Sequence, residues 1–275
     1  MELKRVKYFD IAKAIGIILM IIGHCGIKNR YINNFIFSFH MPLFFFISGY
    51  FFKYREDKEC LKRNFKKLII PYIITCLAII ACEISKLVLK GNFTEILGTA
   101  KKWGMASLYG SGSKQPFEIR FIGAIWFLWA LFFALYFINV TSRTKMQHLW
   151  VILIAYIGYK TSQYIWLPLS IQAGMVATIF VYFGILARKY DIFNIKINKL
   201  LILGAIAIVI FCTIYGGKLY MVSNIYKNGF LDIIGALCGL FLCIKFAQII
   251  ENRTKFTKNL LAFIGGDNNV FKIII

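Results

Sequence analysis

The chain has 275 residues, of which 59% are hydrophobic and only 16% are charged. Soluble domains are about 45–50% apolar and about 25% charged, so this composition excludes an ordinary water-soluble protein. The 27 Phe, 15 Tyr and 5 Trp also exclude a disordered chain, because disordered segments are poor in aromatic residues. The composition therefore predicts an integral membrane protein.

The chain is strongly basic, with 33 Lys and Arg against 12 Asp and Glu and a formal net charge of +21. In a soluble protein such a charge would favour a nucleic-acid partner. Here the basic residues fall mainly between long apolar stretches, where they favour anionic membrane lipid and a negatively charged cytosolic ligand. We therefore expect no nucleic-acid partner.

Apolar stretches long enough to cross a bilayer recur along the chain. A spanning helix needs about 20 predominantly apolar residues, and these stretches lack the period-two alternation of barrel strands. They predict an all-α, polytopic transmembrane bundle that forms a single domain over residues 1–275. The predicted spans cover residues 8–27, 35–52, 68–89, 122–141, 149–166, 171–187, 200–215 and 229–250, and an incomplete ninth begins near Leu260.

The Lys and Arg residues are biased towards one side of these spans. Cytoplasmic loops of membrane proteins carry the excess of basic residues, and the densest basic run here lies between Lys53 and Lys67. This bias predicts a cytoplasmic N-terminus. The number of spans and their orientation together predict a multi-pass protein of the cell (inner or plasma) membrane.

The first predicted span carries polar residues on one helical face. Lys13 and His24 are eleven residues apart, which is about 20° from three full turns and ~16.5 Å along a helix axis, and Asp10 precedes Lys13 by three residues. Charges inside a span cost about 2.5–3.5 kcal/mol on insertion scales, so each is a functional candidate. The alternative is a snorkelling Asp–Lys pair together with an interfacial histidine.

The second predicted span adds His40, at a depth similar to that of His24 on the neighbouring antiparallel helix. Pro42 removes a backbone donor and is expected to kink this helix, which opens space beside the histidines. No third ligand is close in the sequence, so the pair does not favour zinc, and we expect no metal. Imidazole titrates near neutral pH, so proton transfer is the favoured role of both side chains.

A cationic segment follows the second span. Four of its basic residues recur with a spacing that places them on one helical face, namely Lys62, Arg63, Lys66 and Lys67. The positive-inside bias alone also explains such a segment, and the residues do not decide between the two interpretations. The functional interpretation is a phosphate-binding patch for a nucleotide-bearing donor.

The blocks that carry the two histidines resemble the integral-membrane acyltransferase family 3, and most closely its fucose 4-O-acetylase-like branch. The resemblance covers about residues 7–265 and rests on YFDIAKAIGIILMIIGHCG, FIFSFHMPLFFFISGYFFK, KRNFKKLIIPY, GAIWFLWALF and IFVYFGILARKY. Members of this family transfer acyl groups, usually acetyl, from cytosolic acyl-CoA to hydroxyls of cell-surface sugars. The resemblance implies a membrane O-acetyltransferase with acetyl-CoA as donor substrate, no cofactor, and a surface polysaccharide or its lipid-linked precursor as acceptor.

The resemblance also implies roles for individual residues. His24 matches the essential histidine near the end of the first helix, which would act as general base on the acceptor hydroxyl or carry the acetyl group transiently. His40 matches the histidine of the H-x-P-x-F-F-x-x-S-G block and would orient His24 or relay a second proton. Lys13 matches a basic position that is more often arginine, and with Asp10 it would stabilise charge or hold the donor. The four cations after the second span fall in the family's donor-binding loop.

The C-terminal residues depart from the family pattern. The Phe263-Ile264-Gly265 segment is followed by GDNNVFKIII, whereas the family continues with a Lys-Asn turn and a further span. We therefore expect a domain that is truncated after about residue 265. Two alternatives to an active enzyme stay open: a polysaccharide exporter or flippase, and a catalytically inactive homologue. A homodimer is also an open alternative.

Overall fold

A computed structural model of the chain describes residues 6–113, 119–216, 219–253, 261–264 and 266. Apart from an isolated antiparallel bridge between Tyr220 and Ile225, the regular structure of these residues is helical, as predicted. In a bilayer each backbone N–H and C=O needs an internal partner, and a helix supplies these partners within one segment. The α-helices are α1 (Lys7–His24), α2 (Arg30–Tyr50), α3 (Asp57–Asn64), α4 (Ile70–Leu89), α5 (Ile96–Tyr109), α6 (Trp126–Thr141), α7 (Gln147–Thr161), α8 (Ile171–Lys189), α9 (Lys199–Phe211) and α10 (Phe230–Arg253).

Six helical segments of the described residues are long and apolar enough to cross a membrane, which agrees with a multi-pass membrane protein. Helix α1 falls outside this group because three of its 18 residues are charged. Helix α7 falls outside it because its 15 residues reach only ~22 Å, less than the roughly 30 Å of a bilayer core. The six segments are Arg30–Tyr50, Asp57–Leu89, Gly123–Thr141, Pro168–Lys189, Lys199–Gly216 and Phe230–Asn252.

The predicted incomplete ninth span lies almost entirely outside the described residues. Of this part of the chain, the structure describes 261–264, which are helical, and 266. The expected truncation after about residue 265 therefore stays a prediction from the sequence.

The chain divides into two compact units. The first unit is formed by the described residues within 1–53, 180–221 and 225–272, and the second by those within 54–179 and 222–224. In the first unit α2 packs against α1 and α10, and in the second unit α4 packs against α5 and α3 against α6. The single domain over residues 1–275 stays a prediction.

Two glycines let α2 and the C-terminal half of α8 approach each other backbone to backbone in the first unit. A Cβ atom on Gly49 would lie 2.0 Å from the carbonyl oxygen of Val181. A Cβ atom on Gly184 would lie 2.0 Å from the carbonyl oxygen of Phe46. Small residues permit this kind of close helix contact within membranes. The contact fixes the position of α2, which carries His40.

Reporter fusions test the orientation that the loop charges predict. A reporter fused after Lys67 should have a cytosolic location, and one inserted within 104–114 should be external, because the basic excess marks the cytoplasmic side. Enzymatic activity of reporters that work on only one side of the membrane gives the readout. The reverse pattern would invert the bundle and place the cationic segment away from the cytosol.

Candidate active site

The two histidines predicted to be catalytic meet around one aromatic ring of the first unit. The centroid of the Phe37 ring lies 5.5 Å from that of His24 and 5.0 Å from that of His40. His24 is the last residue of α1 and is exposed, whereas His40 lies within α2 and is only 2% exposed. Helix α2 continues through Pro42, so the imidazole of His40 is held by helical backbone.

Each imidazole is oriented by a carbonyl group of its own helix. Nδ1 of His24 lies 2.8 Å from the carbonyl oxygen of Met20, and Nδ1 of His40 lies 2.9 Å from that of Ile36. A carbonyl oxygen only accepts hydrogen bonds, so Nδ1 is the nitrogen that carries the proton in both rings. In the neutral imidazole the lone pair is then on Nε2, and this atom is the one able to accept a proton.

The difference in burial separates the roles that these two histidines can have. An acceptor hydroxyl can approach the exposed His24, whereas His40 is enclosed by its neighbours. His24 therefore suits direct proton transfer with a substrate, and His40 suits the orienting role. Among the residues that the structure describes, no group of three or more His, Cys, Asp or Glu side chains could hold a metal ion.

The Asp10–Lys13 pair lies near the other end of α1. The ammonium of Lys13 is 3.4 Å from Oδ1 of Asp10, and Asp10 is only 6% exposed. Eleven residues of continuous helix separate Lys13 from His24, which corresponds to ~16.5 Å along the axis. The predicted catalytic residues therefore form two groups, and the ion pair does not contact the imidazoles.

The four predicted donor-binding cations line one open pocket in the second unit. The pocket has a volume of about 310 Å³, near the lower end of the range for small-molecule sites. Its cationic residues are exposed, so the pocket offers several charge-assisted donors to a phosphate group. The residues that line it are Glu59, Lys62, Arg63, Lys66 and Lys67.

A widened helical turn contributes to this pocket. Residues Phe65–Ile69 form a π-helical turn, in which backbone hydrogen bonds join residues five apart. Lys66 and Lys67, two of the cations that line the pocket, lie within this turn. Pro71 follows it, and a proline can neither donate a hydrogen bond to the carbonyl of Lys67 nor tolerate that carbonyl in a regular α-helix. Such single π-turns occur often at functional sites.

A carboxylate also lines the cationic pocket, and the sequence analysis did not identify it. Glu59 lies on α3 with its side chain in an ion pair with the guanidinium of Arg55, which precedes the helix. This pairing offsets a negative charge that would otherwise repel a phosphate. The i, i+4 spacing of Arg55 and Glu59 is the signal in the sequence that indicates the pair.

Reversal of two pocket charges should weaken binding of acetyl-CoA. Changing Lys66 and Lys67 to Glu removes two phosphate partners and adds repulsion, and a hydrogen bond to a charged group contributes about 1.5–3 kcal/mol. We expect the dissociation constant, measured on purified and correctly inserted protein, to rise by about 10- to 100-fold, and most at low ionic strength. Lys58→Glu is the matched control, because Lys58 is an exposed residue of α3 outside the pocket lining.

The opposite change in the same pocket gives a second check. Glu59→Gln removes the acidic side chain from the lining, so acetyl-CoA should bind at least as tightly as in the parent protein. Unchanged binding after the Lys66 and Lys67 reversals would leave the cationic segment as a topology signal only.

Comparison with known proteins shows which family the chain belongs to. The sequence profile of the acyltransferase family 3, described as an acyltransferase domain, matches residues 6–267. The chain belongs to this acyltransferase family. The nodulation protein NolL of Mesorhizobium japonicum is 28% identical over 162 residues, which are 52% of this chain and 38% of that protein. The chain thus spans well under half the length of this relative. No solved structure matches the chain.

Family membership confirms the predicted acyltransferase family, and the six long apolar helical segments of the described residues agree with the predicted multi-pass membrane protein. The fucose 4-O-acetylase-like branch stays a prediction. The same holds for the roles of His24, His40, Lys13 and Asp10 and for the acyl-CoA contacts of the cationic pocket.

Proposed function

We propose that this acyltransferase moves an acetyl group from acetyl-CoA to a hydroxyl of a surface polysaccharide, or of its lipid-linked precursor, in the cell membrane. The observation that carries the proposal is the geometry of His24. The side chain is exposed at the end of α1, and its Nδ1 donates to the Met20 carbonyl, which leaves Nε2 as the basic nitrogen. This is the state that a general base for a hydroxyl requires.

The reaction then needs only groups that the chain and the two substrates supply. Nε2 of His24 takes the proton of the acceptor hydroxyl while the oxygen attacks the thioester carbonyl of acetyl-CoA. The C–S bond breaks as the new ester C–O bond forms, and the imidazolium returns the proton to the thiolate of CoA. His40 orients the site from its buried position in α2. An acetyl group carried briefly on His24 is the alternative route to the same products.

The donor's phosphates occupy the cationic pocket in this proposal. The pocket belongs to the segment that the charge bias assigns to the cytoplasmic side, where acyl-CoA is present, whereas His24 is predicted near the outer side. The acetyl group must therefore cross the bundle, either on a threaded pantetheine arm or by a covalent relay. The Asp10–Lys13 pair lies nearer the predicted cytoplasmic end of α1 and would stabilise the donor.

Comparison of cells with and without the protein tests this function. The amount of surface polysaccharide and its content of acetyl ester are measured separately, and mild alkali distinguishes esters, which it cleaves, from amides. An O-acetyltransferase should change the ester content and leave the polysaccharide at the surface. Loss of the polysaccharide from the surface with an unchanged ester content would indicate an exporter or flippase. No change in either quantity would indicate an inactive homologue.

A further inference from the structure

A buried amide near the end of α6 holds the segment that leads into the cationic pocket. Asn139 belongs to the second unit and is 1% exposed. Its Oδ1 accepts a hydrogen bond of 3.0 Å from the backbone N–H of Arg55, and its Nδ2 donates to the carbonyl of Arg55 at 3.0 Å. The same Nδ2 donates to Oδ1 of Asp57 at 2.9 Å. A buried polar group in an otherwise apolar helix is retained at a free-energy cost unless such bonds satisfy it.

Side chains at and just beyond the end of α6 also contact the first residue of α3. Glu56 at the N-cap position makes no side-chain capping bond. Asp57, the first residue of α3, directs its carboxylate to Asn139 of α6 and, at 2.7 Å, to the guanidinium of Arg143, two residues beyond the end of that helix. These contacts therefore anchor the residues on either side of the point where α3 begins.

The residues that Asn139 contacts are linked to the cationic pocket in two ways. Lys62 and Arg63 lie in the last turn of α3, five and six residues after Asp57 on the same helix, so a displacement of its first residue is transmitted to them. The N–H and the C=O of Arg55 both form hydrogen bonds with the Asn139 side chain. The side chain of Arg55 pairs with Glu59 in the pocket lining. A shift of residues 55–57 would therefore displace the cations and unpair the carboxylate.

We propose that Asn139 is a positioning residue for the acyl donor, which holds residues 55–57 so that the cationic pocket keeps the geometry and the charge balance needed to bind phosphate. The inference rests on the proposed role of this pocket in binding acyl-CoA. In this proposal Asn139 affects donor binding and has no effect on the transfer step at His24.

The test uses the isosteric variant Asn139→Asp in purified, membrane-inserted full-length protein. The new carboxylate cannot donate to Arg55 or Asp57, and it repels the carboxylate of Asp57. We expect the dissociation constant and KM for acetyl-CoA to rise by about tenfold, with kcat at saturating donor within about twofold of the parent. Amide hydrogen exchange of residues 55–64 should become faster.

Two further variants keep the test decisive. Arg143→Gln removes the more exposed partner of Asp57 and should weaken donor binding in the same direction by about two- to threefold, even where Asn139→Asp fails to fold. Thr178→Val is the matched control, because Thr178 is a buried polar residue of the same unit that bonds the Met175 carbonyl of its own helix. This control should change neither donor binding nor the exchange of residues 55–64.

The possible results distinguish a failure of this inference from a failure of the proposed function. Parent protein that binds acetyl-CoA while both Asn139→Asp and Arg143→Gln bind it equally well would overturn the positioning role alone. A fall in kcat without a change in KM would overturn it too, because the residue would then act on the transfer step. Parent protein that does not bind acetyl-CoA would overturn the donor pocket and, with it, the proposed function.

Discussion

The His24→Ala variant should lose about 10²–10⁴-fold of the acetyl-transfer rate, because general-base catalysis typically contributes that much. Its Nε2 is the proton acceptor in the proposed reaction, and alanine offers no replacement. The neighbouring Cys25 points about 100° away around the helix and cannot act on the same face. The rate of acetyl transfer from acetyl-CoA, measured at saturating donor, is the relevant quantity.

The fold should tolerate this change. His24 is exposed at the end of α1, and the hydrogen bond that is lost joins its ring to the Met20 carbonyl within the same helix. His148→Ala is the matched control, since His148 is an exposed histidine at the start of α7, and it should keep the parent rate. A His24→Ala variant that keeps more than about a tenth of the parent rate would refute the catalytic assignment.

The Gly184→Ala variant should lose about 3 kcal/mol or more of folding free energy, at or beyond the upper end of what overpacking usually causes. The added Cβ would lie 2.0 Å from the carbonyl oxygen of Phe46 and 2.7 Å from the backbone nitrogen of Tyr50. Both atoms belong to the backbone of α2, so no side chain can rotate to relieve the overlap. Thermal unfolding in detergent should show a clear fall in the melting temperature.

A second glycine provides the control for this substitution. Gly204 lies within α9, and a Cβ atom there would meet no atom within 4 Å. Gly204→Ala should leave stability unchanged or raise it by about 0.5–1 kcal/mol, since alanine is the better helix former. Equal melting temperatures of Gly184→Ala and Gly204→Ala would mean that α2 and α8 do not meet backbone to backbone.

Much of the fold was predictable because membrane crossing imposes a strong pattern. Long apolar runs indicated the helices, and six of them form segments long enough to span a bilayer. The first and fifth predicted spans show the limit of hydropathy. The charges of Asp10 and Lys13 make α1 polar for a span, and α7 ends at Thr161, several residues before the predicted boundary.

The candidate site was predictable in its chemistry and less so in its contacts. The depth of His24 and His40 follows from their positions in two consecutive apolar runs. Their shared contact with Phe37 depends on how α1 and α2 are rotated about their axes, which the sequence pattern does not specify. The distance of Asp10 from His24 follows from the helix rise, and residues on one stripe of a helix need not meet.

The cationic pocket was likewise predictable in its chemistry and less so in its contacts. The spacing of Lys62, Arg63, Lys66 and Lys67 predicted a common face, whereas the π-turn within this segment depends on how the chain accommodates Pro71. Asn139 was not among the predicted site residues, although an amide within an apolar run is a signal that the sequence carries. Its partner, however, is a loop far away in the sequence, and only the tertiary structure brings the two together.

Transfer of labelled acetyl in membrane vesicles tests the central claim most directly. Vesicles that expose the cytosolic face and contain the surface glycan are supplied with acetyl-CoA labelled in its acetyl group. With the parent protein, label should accumulate in the glycan as an alkali-labile ester, and with His24→Ala it should not. Equal labelling of the glycan by the two proteins, or none by a parent protein that binds acetyl-CoA, would contradict an O-acetyltransferase that works through His24.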